Sequence, residues 1–310
     1  MLKLGLFFKD YESAGSGISK HAPKKKGFAR FMEITGRKFW RLAGLNFLYF
    51  LFIIPLMLII PVIGYVSSPG LGIALIALLV LTFAFTIGPA TAGMIKVLRC
   101  FLIEKHTYIT RDFFRGFKGN FRYASVIGFI DCIVALSAFA ALRVYPEMAS
   151  QLGTALMYVP LVLTYSFALL VAMMNYYVYL MMVATSLSLK NLIKNSFMLA
   201  FVAVKRNLIT TLLLFIILAA MLLTFYIALP FFMVIVPFYP AAFIGLTASF
   251  RSYPVIQEYV INPYYTSIGQ INPELTGFAD PADEEPVFED MGGKEQPIEK
   301  RKKGKGKRIS

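Results

Sequence analysis

Residues 71–105 read LGIALIALLVLTFAFTIGPATAGMIKVLRCFLIEK. From Leu71 to Met94 no side chain carries a charge, and these 24 residues exceed the ~20 that a helix needs to cross about 30 Å of hydrocarbon. Lys96, Arg99 and Lys105 follow at once. An apolar run with a basic flank predicts a transmembrane helix whose end is held at the lipid headgroups.

The rest of the chain repeats this pattern. Of its 310 residues 58% are hydrophobic and 15% charged, with a mean hydropathy of +0.67. A soluble domain lies near ~45–50% apolar and ~25% charged, so disorder, a disulfide scaffold and an ordinary cytosolic enzyme are excluded. Six apolar segments can be drawn: Leu42–Val66, Leu71–Met94, Ala124–Leu142, Leu156–Thr185, Leu208–Leu229 and Phe231–Phe250. The first should stay in the membrane as a signal-anchor. No polar loop separates the last two. Pro230 is the natural break, because it lacks an amide hydrogen and clashes with the preceding turn. Pro237 and Pro240 make the sixth segment irregular, and a re-entrant element there stands beside a full crossing.

The charges set the orientation. Ten Lys or Arg precede Leu42, seven lie in Lys96–Tyr123, four in Ser186–Asn207 and nine follow Phe250. The remaining connections hold only Arg143. Thirty of the 31 basic residues therefore fall on one side of a six-span map, which the positive-inside bias places in the cytoplasm together with both termini. The expectation is an all-α, multi-pass protein of the bacterial cytoplasmic membrane. Its net charge of +14 is spread over juxtamembrane segments, where it meets anionic lipid rather than nucleic acid.

Outside the spans, residues 1–41 form a basic amino-terminal segment. Within it Gly27–Arg41 repeats Phe28, Phe31, Met32, Thr35 and Phe39 at helical spacing, with Trp40 as an anchor. That helix either lies in the inner interface or extends the first span. The linker around His21 has no apolar periodicity. Residues 251–275 read as a short cytoplasmic extension and 276–310 as a disordered charged tail, with six acids in Asp280–Asp290 and a basic close.

One ionisable residue sits inside the segments. Asp131 lies seven residues past Ala124, about 10 Å into the bilayer at helical rise. Asn175 and Thr86 reach similar depths, and Asn46 starts nearer the inner face. These four form the candidate intramembrane polar cluster. It serves either as interhelical glue around a protonated Asp131, or as a relay or substrate contact. In TIGPATAG the small residues Gly88, Ala92 and Gly93 offer a helix-packing surface. Pro89 either sits within that close packing or opens a half-helix start. Tyr165, Tyr176, Tyr177 and Tyr179 form an aromatic group whose role stays open.

Signatures for chemistry are missing. Cys100 and Cys132 show no metal-ligand spacing, and neither a nucleophile elbow, a phosphate loop nor a His-Glu-x-x-His motif occurs. The expectation is a protein without catalytic residues, metal or cofactor.

The blocks Asn46…Pro55, Gly88-Pro89-Ala90-Thr91-Ala92, Arg99, Asp112-Phe113-Phe114, Phe117-Lys118 with Asn120-Phe121, and Lys190-Asn191 with Lys194-Asn195 resemble the YesL-like family of Firmicutes membrane proteins, a domain of unknown function. The resemblance spans residues 1–265. In shorter members the first two blocks nearly adjoin, whereas here residues 56–87 intervene and supply an extra crossing. The family carries no known catalytic residues. Such genes often neighbour those for carbohydrate uptake and glycoside breakdown, so the resemblance implies a non-enzymatic accessory or regulatory role in sugar uptake.

Phe113, Phe114, Phe117 and Phe121 recur at helical spacing among Arg115, Lys118 and Arg122. They read as a face that lies on lipid or docks on a partner, such as a sugar-import permease. The alternative function is a small-solute transporter with Asp131 in its pathway.

Overall fold

The computed structural model describes residues 26–276, which are helical with no strand among them. The linker around His21 and the charged tail beyond Thr276 lie outside the described residues. The unit Gly27–Asn272 begins with α1 (Gly27–Arg37) and α2 (Phe39–Phe50). Two short pieces follow, α3 (Ile54–Met57) and α4 (Ile59–Tyr65). Next come α5 (Pro69–Leu102), α6 (Ile109–Gly119), α7 (Phe121–Leu152) and α8 (Tyr158–Ala184). After α9 (Leu189–Val202) and α10 (Val204–Ile227) the chain forms α11 (Leu229–Ile235) and α12 (Pro240–Ile256). A π-helical stretch, Gln257–Ile261, leads into α13 (Asn262–Ser267). A separate unit contains Lys26 and the single turn α14 (Pro273–Thr276).

Among the described residues four helices are long and apolar enough to cross a membrane, and the count reaches six if each of two bent pairs is one span. Helix α5 has 34 residues, about 51 Å at 1.5 Å per residue, so it outruns the hydrocarbon. The helices also run past the segments drawn from hydropathy: α5 continues to Leu102 and α7 to Leu152. Helical hydrogen bonding does not stop where the apolar stretch does.

Proline sets both bends. The first segment is not one straight helix: α2 and the α3–α4 stretch are inclined by 56°. Pro55 cannot donate to Leu51, and Pro61 repeats the defect six residues on. Helix α10 stops at Ala228 (φ −142°, ψ 65°), and Pro230 occupies the first turn of α11, where a missing amide costs nothing. Pro237 and Pro240 flank the second bend, where α11 meets the helix beginning at Pro240 at 61°.

Pro89 behaves differently. It lies inside continuous α5 and does not open a half-helix. The carbonyl it deprives of an amide partner is that of Phe85, which instead accepts a hydrogen bond from Ser125 Oγ of α7 at 2.9 Å. A neighbouring side chain thus repairs the ladder, which is how spans tolerate proline.

The small residues around Pro89 let backbones touch. A Cβ on Gly88 would stand 1.9 Å from the Ala124 carbonyl oxygen, and one on Gly128 would stand 2.7 Å from the Gly88 nitrogen. Gly93 meets α6 in the same way: its Cβ would lie 2.7 Å from the Phe113 carbonyl oxygen. Glycine at these sites removes the steric limit on helix approach, and dispersion between backbones supplies the attraction.

Helix α6 is consequently a packed element. Phe113 is fully buried, with its ring 5.9 Å from Phe52, and Phe117 lies 5.1 Å from the same ring. The expected four-phenylalanine face is therefore divided. Phe113 and Phe117 are used within the chain, while Phe114, Lys118 and Phe121 remain exposed. At its start, Asp112 accepts from Thr107 Oγ1 (2.6 Å) and from the Tyr108 amide (2.9 Å), which satisfies an orphan helix-start donor. Partial burial works against the Asp112 charge, but these two bonds, with Lys96 and Arg111 nearby, hold its carboxyl below the ordinary aspartate value.

Helix α1 is likewise bound to the bundle. Phe31 packs edge-on to Phe250 at 5.4 Å, and Arg30 donates to the Leu102 carbonyl. Phe28 and Trp40 stay outside, at 74% and 83% exposure, as an interfacial anchor requires.

Candidate functional site

A cavity of about 480 Å³ lies among α2, α5, α7, α8, α10 and α12. Its wall is mainly apolar, with Phe83, Ile87, Leu180, Leu214 and Ile244 among the residues that line it. A few polar groups converge on it, a composition typical of small-molecule pockets.

Its polar side is built from two neighbouring spans. Asn175 and Tyr179 are four residues apart on α8, hence on one face. Asn175 Nδ2 donates to Asp131 Oδ1 at 2.7 Å, and the Tyr179 hydroxyl donates to Oδ2 at 3.0 Å. Opposite them, Tyr49 of α2 and Thr91 of α5 share a hydrogen bond at 3.1 Å. Tyr176 pairs with Thr211 of α10 at 2.9 Å. Ser249 of α12 also lines the cavity. It is 1% exposed, and among the described residues its Oγ has no hydrogen-bond partner. A buried hydroxyl left unsatisfied costs about 1–3 kcal/mol, so its position on a cavity wall has consequence.

The polar residues singled out by depth do not all meet. Asp131 and Asn175 do. Thr86 does not: its hydroxyl bonds back to the Thr82 carbonyl at 2.8 Å, and it does not line the cavity. On α5 the lining residues are Phe83, Ile87, Thr91, Met94 and Ile95, spaced by three or four, and Thr86 falls off that stripe. Thr91 takes the place that depth alone had given to Thr86.

Asn46 is also elsewhere. Its Nδ2 donates to the carbonyls of Val236 (3.0 Å) and Pro237 (2.8 Å), and its Oδ1 accepts from the Ala242 amide (2.9 Å). One carboxamide therefore serves both sides of the α11–α12 break, whose backbone groups have lost their helical partners. Ala241, Ile244 and Ala248, which follow that break, line the cavity.

Tyr49, Thr91, Tyr179 and Ser249 are the site residues that depth counting misses. The four-residue periods Phe83–Ile87–Thr91–Ile95 and Asn175–Tyr179 were available as a signal for two of them. Tyr49 and Ser249 had none, since nothing local specifies which helices become neighbours. The tyrosine group is dispersed: the Tyr177 hydroxyl donates to Asn207 Oδ1, and Tyr165 donates to the Ala138 carbonyl at 3.2 Å. Cys100 and Cys132 are free thiols. Among the described residues no three His, Cys, Asp or Glu side chains gather into a metal-binding set.

Residues 42–140 match a family described as a protein of unknown function, DUF624. The matched segment contains Asn46, Tyr49, Thr91 and Asp131, whereas Asn175, Tyr179 and Ser249 lie beyond it. No curated protein and no solved structure matches the chain.

Proposed function

We propose that this chain is a YesL-like, non-enzymatic protein of the bacterial cytoplasmic membrane that takes a small solute into its intramembrane cavity, with Asp131 in the pathway. The cavity itself carries the reading: about 480 Å³ among six helices, with polar groups from α2, α5, α7, α8 and α12 converging in an apolar wall. Its volume falls within the ~300–1,000 Å³ range of small-molecule sites. The broken span supports the same view, because Asn46 holds a bend directly before the part of α12 that lines the cavity. Broken helices beside a buried site are a recurring transporter device. The confinement of 30 of the 31 basic residues to one side of the six-span map supports both termini being cytoplasmic.

A second reading has its own observation. Both Asp131 oxygens already accept hydrogen bonds from α8. That suits a stationary tie between helices, and hence an accessory subunit in carbohydrate uptake, associated with a sugar-import permease. Proteoliposomes containing the purified chain separate the two readings. Uptake of labelled methylammonium or glucose that disappears in Asp131→Asn supports the pathway. The absence of flux for either probe, together with co-purification of an importer that survives Asp131→Asn, overturns it in favour of the accessory role.

A further inference from the structure

Resting on the cavity as a binding site, we infer that its ligand is a small organic ammonium ion, its charge placed against Asp131 and its apolar body against the tyrosine and aliphatic walls.

Charge complementarity comes first. Among the described residues the lining includes one acid, Asp131, and no Lys, Arg or His. A carboxylate removed from water needs a compensating charge or neutralisation, and no side chain of the wall provides one. Asn175 and Tyr179 each donate a single hydrogen bond to it, while a carboxylate can accept about four. Acceptor capacity remains for an N–H donor. Tyr49, Tyr176, Tyr179 and Phe83 are also among the lining residues, and aromatic side chains attract cations.

Hydrogen-bond capacity argues against a sugar in the same place. Tyr49 and Thr91 are engaged with each other, and Tyr176 is engaged with Thr211. Capacity remains on Ser249 Oγ, on Asp131 and on Asn175, whose Oδ1 and second amide hydrogen are not used in its bond to Asp131, and most of it is acceptor capacity. A monosaccharide brings several hydroxyls, and each one buried against the apolar part of this wall without a partner weakens binding. An amine with an apolar body and at most one further polar group fits the inventory. Ser249 is the partner for that extra group.

The test uses the full-length protein in detergent with two isosteric probes, benzylammonium and benzyl alcohol, read by thermal unfolding across a concentration series. The expected result is saturable stabilisation by benzylammonium at about tenfold lower concentration than by benzyl alcohol, a preference of the size one charge contact gives in a partly screened site. Asp131→Asn should bring the two probes to parity. Equal binding of both probes by the unaltered protein overturns the ammonium assignment but leaves the cavity as a site. No saturable effect of either probe overturns the cavity reading as well. If Asp131→Asn does not fold, Ala248→Phe, which fills the cavity from α12, carries the test: loss of benzylammonium binding supports the site, and undiminished binding overturns it.

Discussion

The two ends of the bundle are built on different principles. At the end where α1 meets α5 and the corners α5–α6–α7 and α8–α9–α10 lie, side chains are buried in a continuous cluster from Phe31 through Leu98, Phe113, Tyr177 and Leu192 to Ile256. At the other end Ile73, Leu78, Phe139, Leu163, Phe215 and Tyr226 are all exposed on their own helices. Only 6% of the most apolar window of α5, α8 or α10 is buried. Such an exposed apolar surface is unsustainable in water and ordinary in lipid. In lipid the contact of apolar side chains brings no hydrophobic gain, so association rests on close packing and hydrogen bonds. Those devices are concentrated at the packed end.

The largest effect is expected from a side chain placed where backbones touch. Gly128→Leu should separate α5 from α7 and lower stability by about 3 kcal/mol or more, because the obstructing atoms are backbone. Gly70→Leu, at the apolar end where a Cβ meets nothing within 4 Å, should fold as the parent does. Thermal unfolding of the two purified variants checks the pair. Equal losses would remove the distinction between the ends.

A smaller effect is expected at the bent span. Asn46→Leu leaves two carbonyls and one amide without their partner, and about 2 kcal/mol should be lost, less whatever neighbouring groups recover. Faster amide exchange in residues 236–242 is the accompanying signature.

The smallest effect is also the most specific. Ser125→Ala removes the donor to the Phe85 carbonyl and should cost about 0.6–1 kcal/mol. Pro89→Ala restores an amide that reaches the same carbonyl, so Ser125→Ala should cost little in that background. A double-mutant cycle by thermal unfolding measures the coupling, and additivity of the two changes would show that Ser125 does not serve the proline defect.

Legibility followed the same division. The spans could be drawn from composition, and the break at Pro230 came from covalent geometry. Asp131 and Asn175 could be matched in depth because rise per residue is constant. Thr86 matched in depth too, yet lies off the face of α5 that lines the cavity. Gly88 and Gly93 read as packing residues, but their counterparts Gly128 and Gly116 did not stand out, since a glycine's meaning depends on what stands across from it. Phe113 and Phe114 look equivalent in a helical repeat. One is fully buried and the other is exposed at 37%, because only one faces α5 and Phe52.

The sequence alone shows which segments belong to the apolar phase and where a helix lacks an amide, because transfer free energy and proline geometry are properties of a segment whatever its neighbours. Which faces meet, and whether a missing amide is repaired as at Pro89, depends on the packed fold. It assigned Asn46 to a broken helix, Ser125 to the carbonyl left by Pro89, and Thr91, Tyr179 and Ser249 to the cavity with Asp131. Those assignments depend on the rotation of each helix about its axis, which is set by contacts between residues far apart in the chain.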